Sequence, residues 1–275
     1  MTSNVLLYDL KRVAQTPRTF RNWPSLLASM AGEKLRRGGG TLTFVTRSGV
    51  RLCTPNVPGA RLPMYEQFAD DAYERTWVLG TDRPVHVLDV GAHVGAFATN
   101  IASAGPDVHV ECYEPSPSSA AYLRRNVAAN GLTGRIRVHE AALAGCAGTA
   151  RLDDNTSGSV HNGLVRDDGR LVAGDDSPGT RRVIDVRTVG FADAVAAARA
   201  PFDVVKLDCE GGEYDLVYAS EPRDWASVRR IVMEYHPVRG ESWDELRGWF
   251  LGLGFRVVRH RSDRPGLGTA WLDRA

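Results

Sequence analysis

Lysine is nearly absent from this sequence, net charge is almost nil, and no two cysteines stand close together. Each shortage excludes something. Arginine supplies nearly all of the 34 basic residues, and 33 acids balance them to a formal charge of +1. So even a balance gives no electrostatic reason to expect nucleic acid as a partner. Arginine in place of lysine, with abundant Ala, Gly and Val, fits a high-GC bacterial coding bias, which concerns source and not function. Cys53, Cys112, Cys146 and Cys209 lie far apart with no CxxC pair, and read as reduced thiols of a cytosolic protein. No secretory apolar region follows Met1, and no apolar run approaches the roughly 18 residues of a membrane span. The expectation is a cytoplasmic protein that neither spans a membrane nor binds nucleic acid. No internal repeat is visible.

What is present is an alternation of strands and helices. A chain of 275 residues, 43% apolar and 24% charged, suits one large α/β domain with an appendage, or two small domains. "VLLYDLKRVA" and "WPSLLASMAGEKLRR" carry apolar residues at three- and four-residue spacings and read as peripheral helices, ended by Gly38-Gly39-Gly40. Their basic residues are read as the solvated face of a docking helix in preference to a membrane-surface helix. "TLTFVTRSGVRLCTP" reads as a hairpin around Arg47-Ser48-Gly49, and "MYEQFADDAYERTWVLG" as a helix leading to the main domain.

Strands are then expected at "VHVLDV", "VHVECY", "RIRVHEAAL", "FDVVKLD" and "VRRIVMEY", and helices at "FATNIASA", "AAYLRRNVAAN" and "EYDLVYAS". Ser116-Pro117 offers an N-cap and first-turn proline, and Gly131 a helix stop. Ser242 and Glu245 have capping-box spacing ahead of Leu246, Trp249, Phe250 and Leu253, which share one helical face. "FRVVRH" and "GTAWLDR" close the chain as an antiparallel pair. The whole predicts an α/β, doubly wound, mostly parallel sheet covered on both faces. Residues 153–181, rich in Gly, Asp, Ser and Asn, break the rhythm and read either as a substrate lid or as a plain insertion.

"VLDVGAHVGAF" places Asp89, Gly91 and Gly95 between the first of these strands and its helix. In an open α/β sheet ligands bind beyond the carboxyl ends of strands, where the strand order reverses. Glu114 ends the next strand, the position from which a carboxylate grips a ribose. The dinucleotide pattern G-x-G-x-x-G is broken by His93, which argues against NAD. An acid at Asp89 also suits phosphates poorly. It suits a cofactor with a ribose, an ammonium group and a sulfonium, which is S-adenosyl-L-methionine.

Together "VLDVGAHVGAFA", "CYEPSPSSAAYLRRNVAANG", "VHEAAL" and "VVKLDCEGGEYDLV…IVMEYHP" resemble the FkbM-type S-adenosylmethionine-dependent methyltransferases, over residues 65 to 260 or so. The resemblance implies the class I methyltransferase (Rossmann-like) fold, a seven-stranded sheet with a reversed final hairpin, and methylation of hydroxyl groups in secondary metabolism. Residues 1–64 would then be a helical and hairpin appendage, and 65–275 the methyltransferase domain. Cys209 and Gly212 depart from the usual valine and alanine. Carried over by position, the resemblance puts Asp89, Gly91, Ala92, His93 and Gly95 at the methionine end of the cofactor. Glu114 would hold the ribose, with Pro115 and Ser116 near it, and Glu140 and Ala141 would flank the adenine. Asp208 and the acids after it would line the reaction chamber.

An alcohol acceptor must lose a proton, so a base is needed near its oxygen. Asp208, Glu210, Glu234 and His236 are the candidates kept as catalytic, His236 because histidine titrates near neutrality. Glu213 and Asp215 are assigned instead to the first turn of the following helix, where negative charge suits the dipole. Magnesium held by Asp208, Glu210, Glu234 and His236 is a competing explanation for the acids, and no metal is expected. The partner is expected to be a small-molecule substrate, with oligomeric state left open and a homodimer one option. Two other functions compete with O-methylation: an N- or carboxyl-methyltransferase of the same fold, and a non-catalytic cofactor-binding scaffold.

Overall fold

The computed structural model of the chain describes residues 2–34, 40–57, 59–80, 84–154, 164–165 and 182–274. Two helices, α1 (Thr2–Thr19) and α2 (Trp23–Lys34), precede a hairpin of β1 (Thr41–Val45) and β2 (Arg51–Pro55), in antiparallel register with Thr43 opposite Cys53. Phe20, Phe44, Leu52 and Tyr65 form a cluster that also takes in Val94 and Ala96. The N-terminal helices and hairpin are thereby packed onto the turn that follows the first core strand.

The single helix expected over "MYEQFADDAYERTWVLG" is two: α3 (Leu62–Phe68) and α4 (Arg75–Leu79). Asp71 and Glu74 adopt left-handed φ of 48° and 56° between them. Both acids before Tyr73 have better partners than a continuous helix would give. Asp70 takes Lys11, Arg12 and Gln15 of α1, and Asp71 accepts the N–H of Arg75, the first residue of α4. The break turns Tyr73 inward, where it is 7% exposed.

The core follows the predicted alternation: β3 (Val85–Val90), α5 (Ala96–Ala102), β4 (Val108–Tyr113), α6 (Pro117–Ala129) and β5 (Ile136–His139). Ser116 caps α6 by accepting the Ser119 N–H, and Gly131 follows it at φ 66°. "RIRVHEAAL" is not one strand. The last rung on β4 is the Glu114 N–H to the His139 carbonyl. Beyond that rung the chain leaves the sheet, with β5 as its edge strand, and continues as β6 (Ala142–Ala144). This strand joins a second sheet with β7 (Gly148–Asp153), β8 (Leu164–Val165) and β9 (Val183–Gly190), in the order β6-β9-β7-β8. The loop expected over 153–181 lies outside the described residues, apart from 153, 154, 164 and 165.

The chain returns through α7 (Phe191–Ala197), β10 (Val204–Leu207), α8 (Gly212–Ala219), β11 (Arg230–Tyr235), α9 (Trp243–Gly252), β12 (Arg256–Arg264) and β13 (Leu267–Asp273). The main sheet has seven strands in the order β12-β13-β11-β10-β3-β4-β5, with β13 antiparallel to both neighbours and the core strands parallel. This is the class I methyltransferase topology that the resemblance implied. Val205, Leu207, Ile231 and Met233 face a layer containing Trp225, Leu246 and Phe250. Val87, Val204 and Val232 face one containing Phe97, Ile101 and Trp271. Strand order reverses between β3 and β10, so the ligand crevice lies beyond their carboxyl ends.

Candidate active site

Strand alternation decides which side chains meet at that crevice. Asp89 and Lys206 are directly opposed in the register of β3 and β10, on the sheet face shared with Val87 and Val204. Lys206 is 2% exposed and Asp89 fully buried. The ammonium lies 3.1 Å from Asp89 Oδ1 and 3.3 Å from Asp208 Oδ2. It also donates to the carbonyls of Val90 at 3.2 Å and Gly91 at 2.8 Å. Burial alone would lower its pKa, but the two carboxylates outweigh this and raise it. One lysine thus ties the glycine turn after β3 to the first acid after β10. The sequence reading expected a cation in the cofactor to answer these acids, and the chain supplies one of its own.

The turn at residues 91–95 is shaped by this contact. Gly91 has φ 73°, and a Cβ there would fall within 1.8 Å of the Asp208 carbonyl oxygen. Gly95, at φ 80°, lies beside the Leu123 side chain, which a Cβ would meet at 2.2 Å. His93 is left-handed at φ 51°, which points its N–H at Glu114 Oε2, 2.7 Å away. The Ser116 N–H bonds the other oxygen at 2.9 Å. Glu114 is 5% exposed, and burial pushes its pKa up to about 7 against those two bonds. Ala92 is buried in the same turn. Asp89, Gly91, Ala92, His93, Gly95, Glu114, Pro115 and Ser116 therefore lie together at and just beyond the carboxyl ends of β3 and β4. The Ser116 hydroxyl is already spent on Asp154, at 2.6 Å. Ala141 is buried at the end of β5, whereas the Glu140 carboxylate is turned to the surface and bonded by Arg124 at 2.7 Å.

The acids after β10 separate into distinct environments. Burial would raise Asp208, but Lys206, His236 and the Tyr73 hydroxyl at 2.9 Å hold it below the usual carboxylate range. Burial raises Glu210 to about 7, and burial with the nearby charge of Asp208 raises Glu234 to about 8. Glu66 on α3 is raised to about 7 for the same two reasons. His236 Nε2 lies 3.6 Å from Glu210 and 3.8 Å from Glu234, and its Nδ1 lies 3.1 Å from Glu213. Burial would lower His236, but Glu213, then Glu210 and Asp208, carry it up to about 10. The expectation of a histidine titrating near neutrality fails here. Three carboxylates around a buried ring keep it charged.

Lys206, Tyr73 and Glu66 escaped the sequence reading. Lys206 alone had a signal: a lysine inside an apolar central strand needs a buried counter-ion. Tyr73 and Glu66 arrive from outside the recognisable motifs. Among the described residues no group of three or more His, Cys, Asp or Glu side chains is arranged to hold a metal ion. None of the described helices is long and apolar enough to cross a membrane.

A family model described as the methyltransferase FkbM domain matches residues 89–257. The chain belongs to the FkbM methyltransferase family. Two curated relatives agree. The 31-O-demethyl-FK506 methyltransferase FkbM of Streptomyces tacrolimicus is 28% identical over 231 residues, covering 77% of this chain and 87% of the relative. The methyltransferase sdnD of Sordaria araneosa is 23% identical over 219 residues, covering 72% and 83%. Among solved structures, the magnesium protoporphyrin IX methyltransferase of Synechocystis PCC 6803 with bound SAM aligns at a TM-score of 0.47 and 14% identity, covering 79% of this chain and 82% of that one.

The protein is thus an S-adenosylmethionine-dependent methyltransferase, and the crevice fits that cofactor. The carboxylate it offers to a ribose is that of Glu114, 5% exposed. Each Glu114 oxygen takes one backbone N–H and keeps a further lone pair for a ribose hydroxyl. The ammonium of Lys206 is engaged by two acids and two carbonyls, and so is not free for a phosphate.

Proposed function

We propose that this FkbM-family enzyme methylates a hydroxyl group of a small molecule in bacterial secondary metabolism. Bound S-adenosylmethionine supplies an electrophilic methyl group on a positively charged sulfur. Glu114 holds the ribose, and the turn from Gly91 to Gly95 holds the methionine end. Asp208, fixed by Lys206 and Tyr73, positions the acceptor oxygen. Glu210 and Glu234 are the proton acceptors, since a base works best with a pKa near the working pH. His236, protonated, faces the oxygen as it loses its proton and steadies the developing negative charge. Holding acceptor and methyl in line is the larger effect, able to supply about 7–11 kcal/mol.

The observation that carries this reading is a pair of half-buried carboxylates at the ends of β10 and β11, Glu210 and Glu234, 3.6 and 3.8 Å from His236 Nε2, with pKa raised to about 7 and 8. A relative named for the oxygen it methylates, 31-O-demethyl-FK506 methyltransferase, supports the choice of oxygen. The same acids with Glu66 favour one second reading, an acceptor whose amine is methylated, because they would welcome its ammonium form. Incubation with methyl-labelled S-adenosylmethionine and a panel of hydroxylated and amino-bearing macrolides and sugars tests both. Label recovered on oxygen supports the proposal. Label on nitrogen alone overturns it in favour of the second reading.

A further inference from the structure

Glu213 was assigned to the helix it begins, but its contacts reach further. It is fully buried. Oε1 accepts the Cys209 N–H at 2.7 Å, and Oε2 the Gly211 N–H at 2.9 Å. Between those two residues Glu210 is held at φ 54°, a left-handed conformation that a glutamate adopts only when its surroundings enforce it. The same Oε1 lies 3.1 Å from Nδ1 of His236, which follows the last residue of β11, 23 residues further along the chain. Glu213 is therefore shared by two separate walls of the chamber. One is the turn that aims Glu210, the other the ring that closes the end of β11.

We infer that Glu213 is a positioning residue of the acceptor chamber. Its carboxylate fixes the backbone of the Cys209–Gly211 turn and, through Nδ1, the ring orientation of His236, so that Nε2 faces Glu210 and Glu234. The inference rests on reading this chamber as the methyl-acceptor site, but the contacts and their test do not depend on a methyl acceptor being known. A carboxylate bonded to Nδ1 selects which ring nitrogen is presented outward and keeps the ring charged. The groups facing His236 are Glu213 from α8, Glu210 and Asp208 from the turn after β10, and Glu234 from the end of β11.

The test is an NMR titration of the imidazole signals of the full-length protein, with His236 assigned by its loss in His236→Asn. In the wild type the His236 resonance should stay in its charged form through pH 8. In Glu213→Gln the midpoint should fall by at least about one pH unit, and the other six histidines should not move. Affinity for S-adenosylmethionine, which binds on the β3–β4 side, should change by less than about threefold. A wild-type midpoint near the ordinary histidine value overturns the inference without any variant. So does a Glu213→Gln protein in which His236 titrates as before. If Glu213→Gln does not fold, the wild-type titration decides alone. Failure of the wild type to bind S-adenosylmethionine would instead sink the methyltransferase reading and leave this contact untouched.

Discussion

Lys206→Met removes one ammonium and leaves two acids facing each other. Methionine matches the lysine stem in length, so packing against Tyr73 and Phe97, whose ring centres lie 6.0 and 5.9 Å from Nζ, is largely kept. What is lost is the one counter-ion on Asp89 among the described residues, and Asp89 is completely buried. Breaking a buried pair on one side costs about 3–5 kcal/mol, because the abandoned charge stays out of water. Removing both charges, in Lys206→Met with Asp89→Asn, should recover at least about half of that loss. Urea unfolding at pH 7 measures both. The pH dependence gives a second check with a definite sign. Burial already raises the Asp89 pKa, and without Lys206 it rises further. A folded state whose acid has a raised pKa binds protons more tightly than the unfolded chain, so stability is gained as pH falls. The deficit of Lys206→Met should therefore shrink from pH 8 toward pH 5. A single variant within about 1 kcal/mol of wild type, or a double variant no better than the single, would refute the reasoning.

Other perturbations follow from the same contacts. Gly91→Ala puts a methyl group on the Asp208 carbonyl in a left-handed conformation, and should cost about 3 kcal/mol or more in urea unfolding. Tyr73→Phe removes a hydrogen bond to a charged acid and should cost about 1.5–3 kcal/mol, seen as a lower Tm. Turnover should rise with pH between about 6 and 8 as Glu210 and Glu234 lose their protons, and flatten above. A pH–rate profile reads this directly, and a rate independent of pH across that range would remove both from the proton transfer.

Apolar runs, capping serines and turn glycines made the core elements legible, because strand alternation and helix termini are written locally. Ser116, Gly131 and the run "VHVLDV" each behave as their neighbours in sequence dictate. The errors lie where distant partners decide. α3 and α4 part because Asp70 is claimed by α1, a segment more than fifty positions away. β6 leaves the main sheet because its partner, β9, is not adjacent in sequence. The same division runs through the site. Asp89, Glu114 and Asp208 end strands and could be read from the chain alone. That Lys206 neutralises two of them, that Tyr73 bonds Asp208 across 135 positions, and that Glu213 holds His236 are facts of packing. The four acids of "DCEGGEYD" divide differently from the sequence reading. Asp215 serves structure by accepting the Gly145 N–H, whereas Glu213 belongs with the chamber.

In the proposed function the crevice beyond β3 and β4 holds the cofactor by its ribose through Glu114. Replacing Glu114 would also strip the acceptor from the His93 and Ser116 N–H groups, so the ligand is the better variable. Calorimetric titration of the unaltered protein with S-adenosylhomocysteine, beside its analogue lacking both ribose hydroxyls, separates the two effects. One molecule of S-adenosylhomocysteine should bind per chain, and the analogue should bind at least about tenfold more weakly. No binding of the parent compound, or equal binding of the two, would contradict it.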